Sequence, residues 1–143
     1  MASVPSKNEY ETWEERAAII EHEAGIPKEW AEAFARVNVM MKPACFTAQE
    51  WQRLIDVAGH LLDEWVHELI AHGWQVADIF ACHQIAPKAR YDYAGLLLLM
   101  VSEKKKVVGV DSQKLAIACR DGVIQNFRKR DIPNNSIMLW LLP

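Results

Sequence analysis

The pattern of hydrophobic and polar positions changes near Gly73. Before Gly73, apolar residues recur every three or four positions, which is typical of amphipathic helices. After it, short apolar runs alternate with turn residues, which is typical of strands. We therefore expect one domain over residues 1–143, with a helical part at 1–75 and a mainly β part at 76–143.

Two helices are predicted before Pro43. The first covers about residues 9–24, where apolar side chains share one face, and Gly25 would end it. The second begins near Pro27, because proline is well tolerated in the first turn of a helix, and Pro43 would follow its end.

The third helix has the most specific start signal in the chain. Thr47 and Glu50 match a capping box, in which each side chain accepts a hydrogen bond from the other residue's backbone N–H. A long apolar stripe follows, and Gly73 would end the helix. A short fourth helix is predicted at about residues 76–81.

In the run "GLLLLMVS", residues 95–102, apolar residues occupy both sets of alternating positions, so a strand here would have two apolar faces. This pattern favours a central strand covered on both sides, with residues 103–105 turning the chain into a paired strand "KVVGV". Asp121-Gly122 is a strong hairpin signal between "KLAIACR" and "VIQNFRK", and "SIMLWLL" would be a last strand. The predicted fold class is α+β, with about three N-terminal helices packed on a C-terminal antiparallel sheet of four to five strands.

Composition and targeting signals favour a folded cytoplasmic protein. The chain is 51% hydrophobic and 24% charged, as in globular proteins. The apolar run at 96–101 is too short to cross a bilayer, so we expect no membrane association. The first residues lack the pattern of a signal peptide, and three widely spaced cysteines do not form a disulfide framework. We expect a cytoplasmic location and no cofactor.

Charge divides at the same place as the hydrophobic pattern. Residues 1–75 hold thirteen acidic and six basic residues, whereas residues 76–143 hold six acidic and ten basic residues. Two basic clusters are predicted to be neighbours at the rim of the sheet, where they would contact phosphates. Their residues are Lys104, Lys105, Lys106, Arg128, Lys129 and Arg130. The alternative interpretation is that these charges keep turns and sheet edges solvated.

Candidate chemistry is sparse. His60, Glu64 and His67 share a helix face at a spacing compatible with metal ligation, but an acidic solvent-exposed face gives the same pattern, and we expect no metal site. No phosphate-binding loop, dinucleotide fingerprint or nucleophile elbow occurs in the sequence, so no catalytic residue is assigned. A pocket is predicted in the segment that leads into the apolar run at 95–102. Its residues would be Cys82, His83, Arg90, Tyr91 and Asp92. The alternative is that the same residues anchor the chain structurally.

Two segments, 13–36 and 73–100, resemble small uncharacterised proteins of alphaproteobacteria that are often encoded near phage, plasmid or integrase genes. The matching residues are Glu15, Arg16, Ala17, Ala18, Ile19, Glu21, Gly25, Pro27, Ala31, Gly73, Trp74, Asp78, Phe80, Pro87, Arg90, Tyr91, Asp92, Gly95 and Leu96. Glu23-Ala24 stands where those proteins usually show Asp-Gly, so the first helix here is expected to run further. The resemblance implies a mobile-element context and supplies no catalytic residue.

Two classes of function are therefore open. The first is a non-enzymatic accessory or regulatory protein of a bacterial mobile genetic element that binds another macromolecule. Its acidic helices would meet a protein partner and its basic rim would meet nucleic acid. The alternative is a small enzyme or ligand-binding domain that uses the pocket around Cys82, His83, Arg90 and Asp92. Exposed apolar strands or tryptophans would favour a homodimer.

Overall fold

The computed structural model describes residues 14–19, 21–22, 25–87, 95–100, 105–129, 131 and 135–143. Residues 14–19 and 21–22 are helical, as the first predicted helix requires, and both ends of that helix lie outside the described residues. Among the described residues, no helix is both long enough and apolar enough to span a membrane.

The α+β class is confirmed. The further helices are α1 (Lys28–Val39), α2 (Ala48–Ala71), α3 (Val76–Phe80) and α4 (Leu96–Met100). The strands are β1 (Ala81–His83), β2 (Lys106–Val110), β3 (Lys114–Ala118), β4 (Ile124–Arg128) and β5 (Ser136–Met138), and a 3₁₀ turn, Leu139–Leu141, follows β5. The described strands are all antiparallel, but they divide into a two-stranded sheet, β1-β5, and a three-stranded sheet, β2-β3-β4.

Both ends of the long helix α2 are as predicted. At its start, the Glu50 backbone N–H donates to Thr47 Oγ1 (3.1 Å) and the Thr47 backbone N–H donates to Glu50 Oε1 (2.9 Å). At its end, Gly73 has a φ of 79°, which L-residues rarely adopt. The Trp74 N–H reaches the Leu69 carbonyl (2.9 Å), and the Gly73 N–H reaches the Ile70 carbonyl (3.0 Å). These two bonds form a Schellman motif, which satisfies carbonyls that a helix end otherwise leaves open.

The predicted strand at residues 95–102 is wrong, because Leu96–Met100 is a helix whose five residues are all buried. A short run that is apolar at every position has the same pattern in a buried helix and in a central strand. The predicted partner "KVVGV" is a strand, but it pairs with β3 instead. The hairpin around Asp121-Gly122 is confirmed, since β3 pairs with β4 in register on either side of it.

The C-terminal segment departs from its prediction in length. Only Ser136–Met138 forms a strand, and the chain then tightens into the 3₁₀ turn. The partner of this strand is β1, which was not predicted because three residues carry too little periodicity to identify. Helices α1, α2, α3 and α4 and both sheets contribute side chains to one continuous core. Its largest fully buried side chains are Trp30, Phe80, Leu54, Leu69, Ile79, Leu96, Leu97, Leu115, Ile117, Leu139, Val37 and Val66.

Substitution by alanine is expected to have opposite effects on stability at Gly95 and at Gly59. A Cβ on Gly95 would lie 2.6 Å from the Ile79 carbonyl oxygen and 2.9 Å from that of Ala81, so the backbone would have to move. A Cβ on Gly59, inside α2, would meet only the Phe34 ring at 3.6 Å. We expect Gly95→Ala to destabilise the fold by about 1–3 kcal/mol, as overpacking does. We expect Gly59→Ala to stabilise it by about 0.5–1 kcal/mol through helix propensity.

Urea unfolding followed by circular dichroism measures both free energies. A Gly95→Ala variant as stable as the unaltered protein would contradict the close packing of α4 against the end of α3.

Candidate functional site

The three-stranded sheet has one buried face and one open face. Val107, Leu115, Ile117 and Phe127 are buried and point toward the helices. Because side chains alternate along a strand, the residues between them point away from the core. We call these residues the outer sheet face: Lys106, Val108, Lys114, Ala116, Ala118, Ile124, Asn126 and Arg128.

The outer sheet face carries basic residues at both ends. Lys114 on β3 is paired in register with Arg128 on β4, and Lys106 at the start of β2 is paired with Ala118 at the far end of β3. Lys106 and Arg128 are exposed and Lys114 is half-buried. None of the residues that define the outer sheet face is acidic. The face is therefore positively charged.

The outer sheet face has an apolar patch formed by Val108, Ala116, Ala118 and Ile124. Ile124 is 53% exposed and Val108, beside a bulge in β2, is 46% exposed. Between them lie the small side chains of Ala116 and Ala118 on the central strand. Val123 extends the apolar surface into the β3–β4 turn, where it is 57% exposed. Ile124 lies in the same cross-strand row as Lys106, and the Lys114–Arg128 pair lies at the other end of the sheet. Exposed apolar side chains that adjoin cations are typical of an interaction surface.

The two basic clusters predicted from the sequence do not lie together. Lys105–Lys106 and Arg128–Lys129 are at opposite ends of the sheet, four residues apart along β3, which is about 13 Å at 3.3 Å per residue. The described members of the two clusters are therefore not neighbours. Lys104 and Arg130 lie outside the described residues.

Within each cluster, the structure separates two kinds of lysine. Lys129 Nζ donates to the carbonyls of Gly73 (2.6 Å) and His72 (3.4 Å) and lies 5.3 Å from the centre of the Trp74 ring. This lysine binds the carboxyl end of α2, where a cation is favourable. Lys105 Nζ donates to Gln125 Oε1 (3.1 Å), away from the outer sheet face. Lys106 and Arg128 point outward, as alternation requires.

Lys114 was not among the residues predicted for the basic surface, because it is isolated in the sequence. The sequence signal for its position is the alternation in "KLAIA", in which Leu115 and Ile117 share one face of the strand and Lys114 lies on the other. The β2–β3 turn fixes its position: Asp111 Oδ1 accepts from the backbone N–H groups of Gln113 and Lys114, both at 2.8 Å. These two bonds hold the pKa of the Asp111 carboxyl below its ordinary value, and the bond from the Gln113 N–H has the larger effect.

The predicted pocket residues that the structure describes do not converge. Cys82 is fully buried, and burial, with a smaller effect from Cys45, raises the pKa of its thiol to about 11. At neutral pH the thiol is protonated, and a thiol is a weak nucleophile. His83 follows in the same strand and points the other way, since neighbouring side chains in a strand alternate. Arg90, Tyr91 and Asp92 lie outside the described residues.

His83 closes the loop after β1. Its Nδ1 accepts from the backbone N–H groups of Ile85 (3.1 Å) and Ala86 (2.9 Å). An Nδ1 that accepts two bonds places the proton of the neutral ring on Nε2. Nε2 lies 2.8 Å from the side-chain amide nitrogen of Asn135. The oxygen and nitrogen of an Asn side chain are assigned from such contacts, and exchanging them lets the Asn135 oxygen accept the Nε2 hydrogen bond. His83 therefore has a structural position between β1 and the segment that leads into β5.

The histidines of α2 remain on its solvent-exposed side. His60, Glu64 and His67 are all exposed. Across the residues that the structure describes, no three His, Cys, Asp or Glu side chains are placed to hold a metal ion.

Lys129 is expected to stabilise the fold and not to bind a partner. Lys129→Met keeps the aliphatic stem but removes the charge that binds the Gly73 carbonyl and the Trp74 ring. We expect a loss of about 1 kcal/mol in the free energy of unfolding, from the helix-end charge and the cation–π contact. Lys106→Met is the matched control, since this lysine is exposed, and should change stability by less than about 0.5 kcal/mol. Equal effects in urea unfolding would contradict this role for Lys129.

Asp111 is expected to make stability depend on pH. Its pKa is lower in the folded protein than in the unfolded chain, so its contribution is present above the ordinary carboxyl pKa of about 3.9 and is lost as pH falls through the folded value. Asp111→Asn keeps an acceptor oxygen and removes the charge. The variant should be less stable than the unaltered protein at pH 7, and the difference should shrink at pH 3. A difference in urea midpoint that is the same at both pH values would show that the charge has no role.

No protein-family model matches this chain, and neither the curated proteins nor the solved structures include a significant match. The resemblance to mobile-element proteins therefore stays a prediction, and function has to be inferred from the site itself.

Proposed function

We propose that this protein is a non-enzymatic accessory or regulatory protein of a mobile genetic element, and that it binds an acidic protein partner through the outer sheet face. The observation that carries the proposal is the apolar patch on that face. Ile124 and Val108 are about half exposed on a sheet whose other face forms part of the core. A partner that covers these side chains removes their apolar surface from water, which contributes a favourable free energy of about 25 cal/mol per Å² of buried apolar surface.

The charge of the face supports an acidic partner. Lys106 lies beside the apolar patch at one end of the face, Lys114 and Arg128 lie at the other end, and no acidic residue belongs to the face. Carboxylates on a partner would complement these cations, speed association and favour one orientation. A symmetric dimer through the same face would bring two sets of three cations together, which opposes self-association there.

A protein partner fits the face better than nucleic acid. Proteins that bind single strands on a sheet use aromatic side chains as stacking platforms, and none of the residues of the outer sheet face is aromatic. The phosphate backbone of a duplex would use the cations but would gain little from Ile124 and Val108. Lys129, one of the predicted phosphate-binding residues, already binds the end of α2.

An enzyme that uses Cys82 and His83 has less support. The thiol is buried in the core and its pKa is raised, whereas catalytic cysteines are partly exposed with a lowered pKa. The imidazole Nδ1 is occupied by two backbone N–H groups. Neither group has the geometry of a nucleophile with an adjacent base.

The test compares two substitutions of isoleucine by aspartate at exposed positions. Ile124→Asp places a negative charge in the apolar patch, whereas Ile85→Asp changes a loop residue that is 85% exposed and outside the outer sheet face. Affinity purification from the native host, followed by quantitative mass spectrometry, identifies the proteins that each variant retains. We expect an acidic partner that Ile85→Asp retains and that Ile124→Asp binds at least tenfold more weakly, with binding that decreases as salt increases.

A second arm measures binding to labelled single- and double-stranded DNA and RNA over a salt series. Micromolar binding that is lost when Lys106, Lys114 and Arg128 are all changed to Ala would replace the protein partner with nucleic acid. Partners retained equally by both aspartate variants would remove the outer sheet face from the function.

A further inference from the structure

A cavity of about 300 Å³ lies between α2 and the edge strand β2. Its walls are formed by apolar side chains from three elements: Val57, Leu61 and Trp65 on α2, Met100 at the end of α4, and Val107 on β2. Leu61, Met100 and Val107 are buried members of the core. The cavity is therefore an apolar recess in the side of the molecule.

The rim of the cavity is charged. Lys105 and Lys106 lie on the β2 side, and His60 and Glu64 lie on the α2 side. Lys105 Nζ donates to Gln125 Oε1 at 3.1 Å, and this side chain is only partly exposed. An ammonium group has three N–H donors, and Gln125 takes one of them among the described residues. The described residues of the rim include two lysines and one carboxylate, which favours an anion.

We propose that this cavity binds a small organic acid with an apolar body, whose carboxylate pairs with Lys105 and whose body contacts Trp65 and Leu61. A volume of about 300 Å³ is that of about ten water molecules, and it accommodates a ligand of about ten non-hydrogen atoms. Apolar walls with a few polar groups at one end are typical of sites for such ligands.

The site shares Lys106 with the outer sheet face but is otherwise distinct from it and from the pocket predicted around Cys82. Val107 points into the cavity, whereas Val108 and Ile124 are exposed on the outer sheet face. A partner on that face and an acid in the cavity would both contact β2. The two proposals can fail independently, because Val57 and Lys105 line the cavity and are not part of the outer sheet face.

Octanoate and 1-octanol are suitable probes because they have similar apolar bodies and differ in charge. Calorimetric titration of the full chain should give saturable one-to-one binding of octanoate, with a dissociation constant below about 1 mM. Lys105→Met keeps the stem and removes the ammonium group, so it should weaken octanoate binding about tenfold, the value of one charge-assisted hydrogen bond. The same variant should leave 1-octanol binding within about twofold.

Two controls locate the binding. Lys114→Met removes a cation from the outer sheet face and should leave octanoate binding unchanged, and so should Ile124→Asp. Val57→Trp adds a large side chain to a partly exposed cavity wall and should abolish binding of both probes while the circular dichroism spectrum is retained. Amide chemical shifts of Leu61 and Val107 in the unaltered protein should change on addition of octanoate, which locates the ligand without a variant.

Absence of octanoate binding by the unaltered protein would overturn the proposal. So would octanoate binding that Val57→Trp leaves intact, because the ligand would then lie elsewhere. A loss of octanoate and 1-octanol affinity in equal proportion in Lys105→Met would assign Lys105 to packing and remove the anion from the proposal.

Discussion

The helices and the three-stranded sheet are held together at the carboxyl end of α2. The Schellman motif at Gly73 turns the chain so that Trp74 Nε1 donates to the Asp111 carbonyl in the β2–β3 turn (2.7 Å). From the end of β4, Lys129 reaches back to the Gly73 carbonyl (2.6 Å), and its own N–H donates to the Gln113 carbonyl (2.7 Å). These bonds join helix end, turn and strand end, so they decide which face of the sheet is covered and which remains open.

The same junction explains why charge in the sequence is a poor guide to charge at the surface. Arg128 and Lys129 are neighbours in the chain, yet one is on the outer sheet face and the other binds helix carbonyls. Lys105 and Lys106 also differ, since Lys105 donates to Gln125 whereas Lys106 is exposed on the outer sheet face, although both line the cavity. Alternation along a strand sends adjacent residues to opposite sides, so a run of three cations cannot form a single patch on a regular strand. Lys114, which has no charged neighbour, becomes part of the patch because β3 pairs with β4.

Edge strand β2 has an unusual position in the molecule. One of its residues, Val107, belongs to the core, Val108 is exposed on the outer sheet face, and the strand also forms a wall of the apolar cavity. The bulge between Val107 and Gly109 shifts the register there, which changes the direction of side chains locally. Within about five residues, this strand takes part in both of the surfaces at which we propose binding of a protein partner and of a small acid.

The sequence by itself determined the elements that depend on local chemistry. Thr47 and Glu50 cap α2 through bonds three residues apart, Gly73 ends it through a positive φ, and Asp121-Gly122 turns a hairpin, all within a few residues of chain. The tertiary structure alone decided the conformation of Leu96–Met100, because a run that is buried on all sides has no polar face to reveal its period. It also decided the pairing of β1 with β5 and the open face of the β2-β3-β4 sheet, since both depend on contacts between residues far apart in the chain. The candidate sites depend on those long-range contacts, and for this reason neither could be located from the sequence.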